Sequence, residues 1–554
     1  MSPSPSPSRS SFSAKVQALW DQGVLDDAFA KFVKDHAAHL DALVDSTGPP
    51  PSLAGRLAGE TQRDTFLRTA VGLHMDFQRP VESLGHIEEA FALLDSGVLE
   101  LPDSVLDHTG TTQETLIDTY AMDLGADTAV YKTLQDCAAA WATRANVALH
   151  ASAIGAADVP GTLALLDANA GLRRPPSGLT QVVVLEPWHP GVLDFISAAD
   201  SRFLGRTLWL PDGFMRAVNN NAQWHLFDPV KARALADVCD TTFDEMYTRF
   251  AAEGGGGASL GRVQARDLWA HLIMNRVPVG FKDAVNRANP VSFSGVVKSG
   301  GCCGTSLSLG GTACHASVVR GYIRGDLLLQ QSSIEHDYYA ALHQSAKAAV
   351  RTLDRVIDVA VYATVEGRSY AEALRPVGLQ LKGSEDAAAW EALYHGALEG
   401  SVELSRELGS YFCFKGSAAA CGQVAFDTRP TPPSLSGTWD WDDLRQKMRA
   451  GMRNACVTAG PVDVVVDAPE GFAHLEYLAF VDQPLAVTLK HPGDNISASH
   501  FLATAWKSGL PLGGVRWMSD DDDGAAEALA AGKKKMPESM AAGATTRNQS
   551  HETF

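Results

Sequence analysis

Gln181-Val-Val-Val-Leu185 is a short, unbroken apolar run. A strand with no polar positions between its apolar ones is buried on both faces, as happens in a mainly parallel sheet covered by helices. The run therefore predicts an α/β protein. Helices are predicted alongside it: from Asp337 to Val365 the residues Leu342, Ala346, Ala349, Val350, Leu353, Val356, Ile357 and Ala360 fall on one stripe. Between Ala14 and Val44, the residues Val16, Leu19, Trp20, Leu25, Phe29, Phe32, Val33, Leu40 and Leu43 also recur at helical spacing, up to a break at Gly48-Pro-Pro-Pro51. The stretch from Leu116 to Ala151 reads as helix-rich. The Ser/Pro-rich start and the end, with its acidic run Asp520 to Asp523 and Lys533-Lys-Lys535, have little to bury and read as tails. The expected organisation is a tail at 1–13, a small helical region at 14–115, an α/β body at 116–519 and a tail at 520–554.

Charge narrows the function classes. There are 65 acidic residues against 46 basic ones, a net charge of −19, and no basic cluster is larger than Lys533-Lys-Lys535, so nucleic acid is not an expected partner. No apolar run approaches the roughly 18 residues of a membrane span, so no membrane partner is expected. Eight cysteines without regular spacing read as reduced thiols rather than a disulfide framework.

Two of those cysteines are adjacent, in Lys298-Ser-Gly-Gly-Cys-Cys-Gly-Thr-Ser306. A thiol does chemistry when a base, a cation or a helix N-terminus prepares it, and Cys303 has only Thr305 and Ser306 as polar neighbours. Cys302, Cys303, Cys314 and His315 do not read as a metal cluster, because two of the ligands would be vicinal and no Cys-x-x-Cys pair is present. No metal or cofactor is expected. Trp188 and His189, just past the apolar run, could border a substrate pocket or form a core plug with a hydrogen-bonded neighbour. The second reading is preferred, since a lone Trp-His pair carries no reaction.

Several runs, in order from about Phe66 to Arg516, carry a resemblance. They are Phe66-Leu-Arg-Thr-Ala-Val-Gly-Leu-His74, Val130-Tyr-Lys-Thr-Leu-Gln-Asp-Cys137, Leu185-Glu-Pro-Trp-His-Pro-Gly-Val-Leu-Asp-Phe195, Leu208-Trp-Leu-Pro-Asp-Gly-Phe-Met215 and Lys282-Asp-Ala-Val-Asn286. Arg375-Pro-Val-Gly378, Tyr394-His-Gly-Ala-Leu-Glu399, Trp439-Asp-Trp441 and Arg453-Asn454 follow. Together they resemble the large, catalytic subunit of class I ribonucleotide reductase, and Glu470-Gly-Phe-Ala473 resembles its herpesvirus branch. The resemblance implies a ten-stranded α/β barrel behind a small N-terminal helical domain. It implies an oxidoreductase of deoxyribonucleotide metabolism, partnered by a small subunit and forming a homodimer.

The same resemblance exposes departures. The family's thiyl loop reads Asn-x-Cys-x-Glu; here Cys303 keeps the thiol, while Gly301 and Thr305 occupy the Asn and Glu positions. Of the two cysteines that reduce the substrate, Cys314 stands for the second, and the first should fall in Thr115-Leu-Ile-Asp-Thr-Tyr120, which has none. The cysteines that would recharge the pair are also expected to be missing, as the last cysteine is Cys456. Val515 and Arg516 occupy the positions of two radical-carrying tyrosines, and Asp463 falls in the phosphate loop. Asp127 and Thr128 are left open as a remnant of an effector site. The reading is therefore a catalytically inactive homologue, a pseudoenzyme. Resemblance to the inactive betaherpesvirus members places it in the host cell cytoplasm and the virion tegument, acting on host proteins or as a structural component. An active ribonucleoside-diphosphate reductase large subunit is the alternative.

Overall fold

Residues whose neighbours in sequence alternate between short buried strands and longer helices must lay those strands side by side, with the helices outside. The computed structural model describes residues 11–46, 55–124, 128–143, 145–155, 158–172, 181–199, 201, 203–252, 257–289, 296–299, 306–307, 319–332, 335–430, 432–458, 463–466, 475–482, 485–489 and 494–517. The barrel strands are β1 (Thr119–Asp123), β2 (Asn146–His150), β3 (Gln181–Leu185), β4 (Leu204–Leu210), β5 (Val279–Phe281), β6 (Val319–Arg324), β7 (Val377–Lys382), β8 (Asp463–Val466), β9 (Leu485–Leu489) and β10 (Leu512–Trp517).

β1 to β5 lie in that order and run parallel. β10 meets β5 antiparallel through the pair Val515 and Val279, and β9 and β8 continue parallel to β10. β6 and β7 form a separate parallel pair. The Leu379 N–H of β7 donates to the Val457 carbonyl (2.9 Å), in the segment leading to β8. Arg320 of β6 donates to Thr119 Oγ1 (2.8 Å) at the start of β1. The eight-stranded sheet thus curls, with its β1 edge tied to β6 and the segment before β8 bonded to β7, in keeping with the barrel-type α/β architecture expected. All residues of β1, β3 and β4 are buried, which is why these strands carry so little polar alternation.

Three local expectations are corrected. The stretch from Leu116 to Ala151 holds two strands, β1 and β2, around one helix, Thr128–Ala142. The long helix spans Glu335–Val359 and stops short of Val365. Past it the Val361 N–H donates to the Glu114 carbonyl (2.7 Å), the Ala363 N–H to Tyr120 Oη (2.9 Å), and Thr364 caps the next helix, Val365–Leu374. The first helix, Phe12–Asp21, begins inside the span assigned to a tail, because Ser11 caps it and Phe12 is buried. The remainder of that span, 1–10, and the other expected tail, 520–554, lie outside the described residues.

The N-terminal helices Phe12–Asp21, Asp27–Asp35 and Ala37–Ser46 share a second core, in which Phe12, Val16, Phe29 and Phe32 meet Leu67, Val71 and Phe91. Beneath it Arg68 is wholly buried, its Nε on Glu60 Oε1 (2.7 Å) and its Nη2 on the Leu106 carbonyl (2.8 Å). A guanidinium tolerates such burial only when paired and hydrogen-bonded. The two longest helices, Glu335–Val359 and Ala387–Leu408, pack closely because Gly396 and Gly400 face the first of them. A Cβ at Gly396 would stand 2.3 Å from the His343 carbonyl oxygen. Arg375 and Arg453-Asn454 tie this layer to β7. Arg375 forks onto Asp354 at 2.8 and 2.9 Å, Asn454 Nδ2 donates to Asp354 Oδ1 (2.9 Å), and Arg453 Nε to Oδ2 (3.2 Å). These motif residues hold the scaffold together.

Candidate functional site

β1 to β5 all end at one rim, and each of β1, β2, β3 and β5 delivers a charged or titratable side chain there: Asp123, His150, Glu186 and Lys282. A parallel sheet presents its strand ends together, so single polar residues closing apolar runs become neighbours. His150 bridges the set, with Nδ1 3.4 Å from Asp123 Oδ1 and Nε2 3.4 Å from Glu186 Oε1. Lys282 Nζ lies 3.0 Å from both Glu186 oxygens and donates to the Leu235 carbonyl (2.8 Å). Lys298 Nζ joins Asp123 Oδ2 (2.6 Å) to Asp237 Oδ1 (2.7 Å). Trp188 Nε1 donates to Glu186 Oε2 (2.8 Å), and Ser152 Oγ accepts from the Glu186 N–H (2.9 Å).

Lys282 and Glu186 are both 0% exposed. Burial alone would raise the Glu186 carboxyl, but the Lys282 charge and His150 hold it below the usual carboxylate range. Burial likewise would raise Asp123, and the His150 hydrogen bond and charge, with Lys298, outweigh it and pull it down. For His150 burial lowers the imidazole while Asp123 and Glu186 raise it, with a net rise. Both described lysines of the rim, Lys282 and Lys298, are thus already paired with carboxylates. Asp283, next to Lys282, takes the Asp240 N–H (2.7 Å) and the Asp212 N–H (2.6 Å), yet burial pushes its carboxyl up to about 6. Cys239, Asp240 and Asp283 come close enough to be considered as metal ligands. Their carboxylates are already engaged: Arg287 holds Asp240 Oδ1 at 2.5 Å, and the two Asp283 oxygens accept backbone N–H groups.

The rim also carries the hairpin that flanks the cysteine run. Strands Val297–Ser299 and Ser306–Leu307 pair antiparallel, and they pack against β2 and β1. Asn286 docks the first arm by accepting from the Val297 N–H (2.7 Å) and donating to its carbonyl (3.1 Å). Gly301, Cys302, Cys303 and Thr305 fall between the two arms; like Cys314 and Asp127, they lie outside the described residues.

Other expected positions are placed. Trp188 is a buried donor to Glu186, and His189, also buried, meets the Ile154 carbonyl at 2.8 Å; burial lowers its imidazole to about 4. Thr115 to Tyr120 lead into β1, and no cysteine occurs there. Asp463 opens β8, and Val515 and Arg516 lie within β10, where Val515 is buried. Sequence reasoning picked out Glu186, Lys282 and Lys298 inside motifs, but missed Asp123 and His150. The signal was available in the lone polar residue closing Tyr-Ala-Met and Val-Ala-Leu.

Comparison with known proteins agrees with this architecture. The family described as "Ribonucleotide reductase, barrel domain" matches residues 167–391 and 384–461. Similar proteins include the ribonucleoside-diphosphate reductase large subunit of Trypanosoma brucei brucei, 27% identical over 466 residues, covering 72% of this chain and 54% of that one. The large chain 2 of Saccharomyces cerevisiae is 27% identical over 464 residues, covering 74% and 51%. The Variola virus large subunit is 25% identical over 453 residues, covering 72% and 56%. The chain spans about half the length of the curated relatives it matches. With a family match that runs over more than half of its residues and includes β3 to β7 of the barrel, this chain belongs to the ribonucleotide reductase family through its barrel domain.

Proposed function

We propose that this chain is a ribonucleotide reductase large-subunit-like protein that has lost ribonucleotide reduction and serves as a structural or host-interaction protein of a herpesvirus-type virus. The observation that carries the loss is the missing electron source: Thr115 to Tyr120, where a cysteine should pair with Cys314, contain none. One thiol cannot form the intramolecular disulfide that releases two electrons to a substrate. Gly301 and Thr305 also replace an amide and a carboxylate beside Cys303, and acid–base groups of that kind contribute roughly 10²–10⁴-fold each. The rim supports the reading, since Lys282, Lys298 and Arg287 each sit within 3.0 Å of a carboxylate and are already neutralised. A diphosphate would have to displace those partners. Val515, buried in β10, has no redox-active side chain.

The relatives' names supply ribonucleoside diphosphates as the substrates to test. The purified chain, given CDP or ADP, a small subunit and dithiothreitol, is expected to make no deoxyribonucleotide above background. Product above background would establish the second reading, an active large subunit working with a small subunit and as a homodimer, which Cys303 and Cys314 favour by their retention. The proposed location, host cytoplasm and virion tegument, is tested by immunoblotting purified particles; absence from them would sink the structural role.

A further inference from the structure

The close crossing of helices Glu335–Val359 and Ala387–Leu408 does more than pack them. Because Gly396 and Gly400 bring the backbones together, His343 on one helix faces His395 and Glu399 on the other. The latter two are four residues apart and therefore share a helix face. His343 Nε2 lies 3.0 Å from His395 Nδ1 and 3.4 Å from Glu399 Oε2, and the three donor atoms fall within 4.8 Å of one another. Ligand atoms on a tetrahedral ion with bonds of about 2.0–2.1 Å stand about 3.3 Å apart, and the two edges that run from His343, 3.0 and 3.4 Å, match that spacing. We propose that His343, His395 and Glu399 form a zinc-type transition-metal site of two imidazoles and one carboxylate, with its fourth position open to an exogenous ligand.

The surroundings suit that role. Trp439 lies flat on the His343 ring (4.3 Å between centroids, 8°) and over the His395 ring (5.3 Å, 27°), while Trp441 meets His395 edge-on at 5.0 Å. Both ring planes are thereby fixed before a metal arrives. His343 Nε2 and His395 Nδ1 share a hydrogen bond, so one of the two carries a proton that a bound metal would displace. Lys347 and Lys447 approach Glu399 at 3.5 and 3.7 Å, but each has a nearer carboxylate, Glu403 and Asp443, at 2.5 Å. Glu399 is consequently the first partner of neither ammonium. Imidazole nitrogen favours zinc, cobalt, nickel or copper over magnesium or calcium. None of these residues belongs to the rim, so the site is independent of whether reduction survives.

Cobalt(II) titrated into the chelator-treated full chain tests this. Expected are one bound equivalent, the d–d absorption of a four-coordinate nitrogen–oxygen site, no thiolate-to-cobalt charge-transfer band, and displacement by zinc. Glu399→Gln and His343→Asn should each weaken binding at least about tenfold, ligand loss being no milder than loss of an outer-shell partner. Should His343→Asn fail to fold, Glu399→Gln alone decides, since its side chain is 22% exposed and tolerates an isostere. No cobalt bound, a thiolate charge-transfer band with no d–d signal of the expected kind, or wild-type affinity in Glu399→Gln would each overturn the assignment.

Discussion

Lys282 touches both oxygens of Glu186 with no solvent access, and the consequences of that pairing are asymmetric. Removing one partner leaves the other charge buried and alone, at a cost of about 3–5 kcal/mol, whereas removing both charges together costs much less. Lys282→Met is accordingly expected to lower stability by about that amount, and Lys282→Met/Glu186→Gln, which keeps an acceptor for Trp188, to recover a large part of it. Urea denaturation midpoints of the two variants check this; a double variant no better than the single one would mean that the pair is not the unit. Asp283 offers a second test at the same scale. Burial raises it to about 6, above the ordinary aspartate value, so between about pH 4 and 6 the folded state binds more protons than the unfolded state. Stability from this group is therefore greatest at the acid end and falls as pH rises through that window, by about 2–3 kcal/mol in all. Asp123 and Glu186 titrate with the opposite sign but equally in both proteins. Asp283→Asn should lose less stability than the parent between pH 4 and 6, and parallel curves would contradict the assignment. Which residues form the rim was only half legible beforehand. Glu186, Lys282 and Lys298 stood inside recognisable runs, while Asp123 and His150 are single polar residues whose meaning comes from strand pairing across 27 positions.

Among the elements, the helix pair shows how a packing constraint outweighs an intrinsic preference. In an exposed helix Gly→Ala gains up to about 1 kcal/mol, and Gly85, on the helix Pro80–Asp95 with nothing within 4 Å of a built Cβ, should behave that way. At Gly396 the built Cβ would stand 2.3 Å from a backbone carbonyl, which cannot swing aside as a side chain would. Gly396→Ala is expected to destabilise by about 1–3 kcal/mol, and Gly85→Ala to stabilise slightly, as read by thermal melts of the two variants side by side. Equal signs would show that the helices are free to separate. Element legibility follows the same logic. β3 was readable because the unbroken apolar run Val182-Val-Val-Leu185 needs cover on both faces, whereas β1 and β2 are polar at both ends and were absorbed into a helical reading. The end of the Glu335–Val359 helix is set by backbone donors to Glu114 and Tyr120, and no local pattern in 360–364 announces partners that distant. His395 and Glu399 show their four-residue spacing in sequence, but His343, 52 positions earlier, joins them only through the crossing.

At the scale of the molecule, the proposed reading requires that a barrel of this kind can persist where its chemistry is lost. Packing answers to apolar pattern and volume, while catalysis depends on a thin set of residues grafted onto the strand ends. The family match and the curled sheet speak for the first, and Gly301, Thr305 and the cysteine-free approach to β1 speak for loss of the second. Cys303 separates the two readings most sharply, being the essential atom of a reductase and, in the proposed protein, a small side chain in the sequence between the two hairpin arms. A cysteine that does no chemistry behaves as a small hydrophobe with a weak donor. Cys303→Ala should therefore change stability by no more than about 1–2 kcal/mol and leave viral growth and particle incorporation unchanged. Cys302→Ala, one position away, controls for packing. A Cys303→Ala protein that melts like the parent but abolishes growth, beside a Cys302→Ala protein that does not, would make the thiol chemically active and the inactive reading wrong; matched melts with intact growth in both would leave both cysteines without a chemical role, on a barrel whose work is done by its surface.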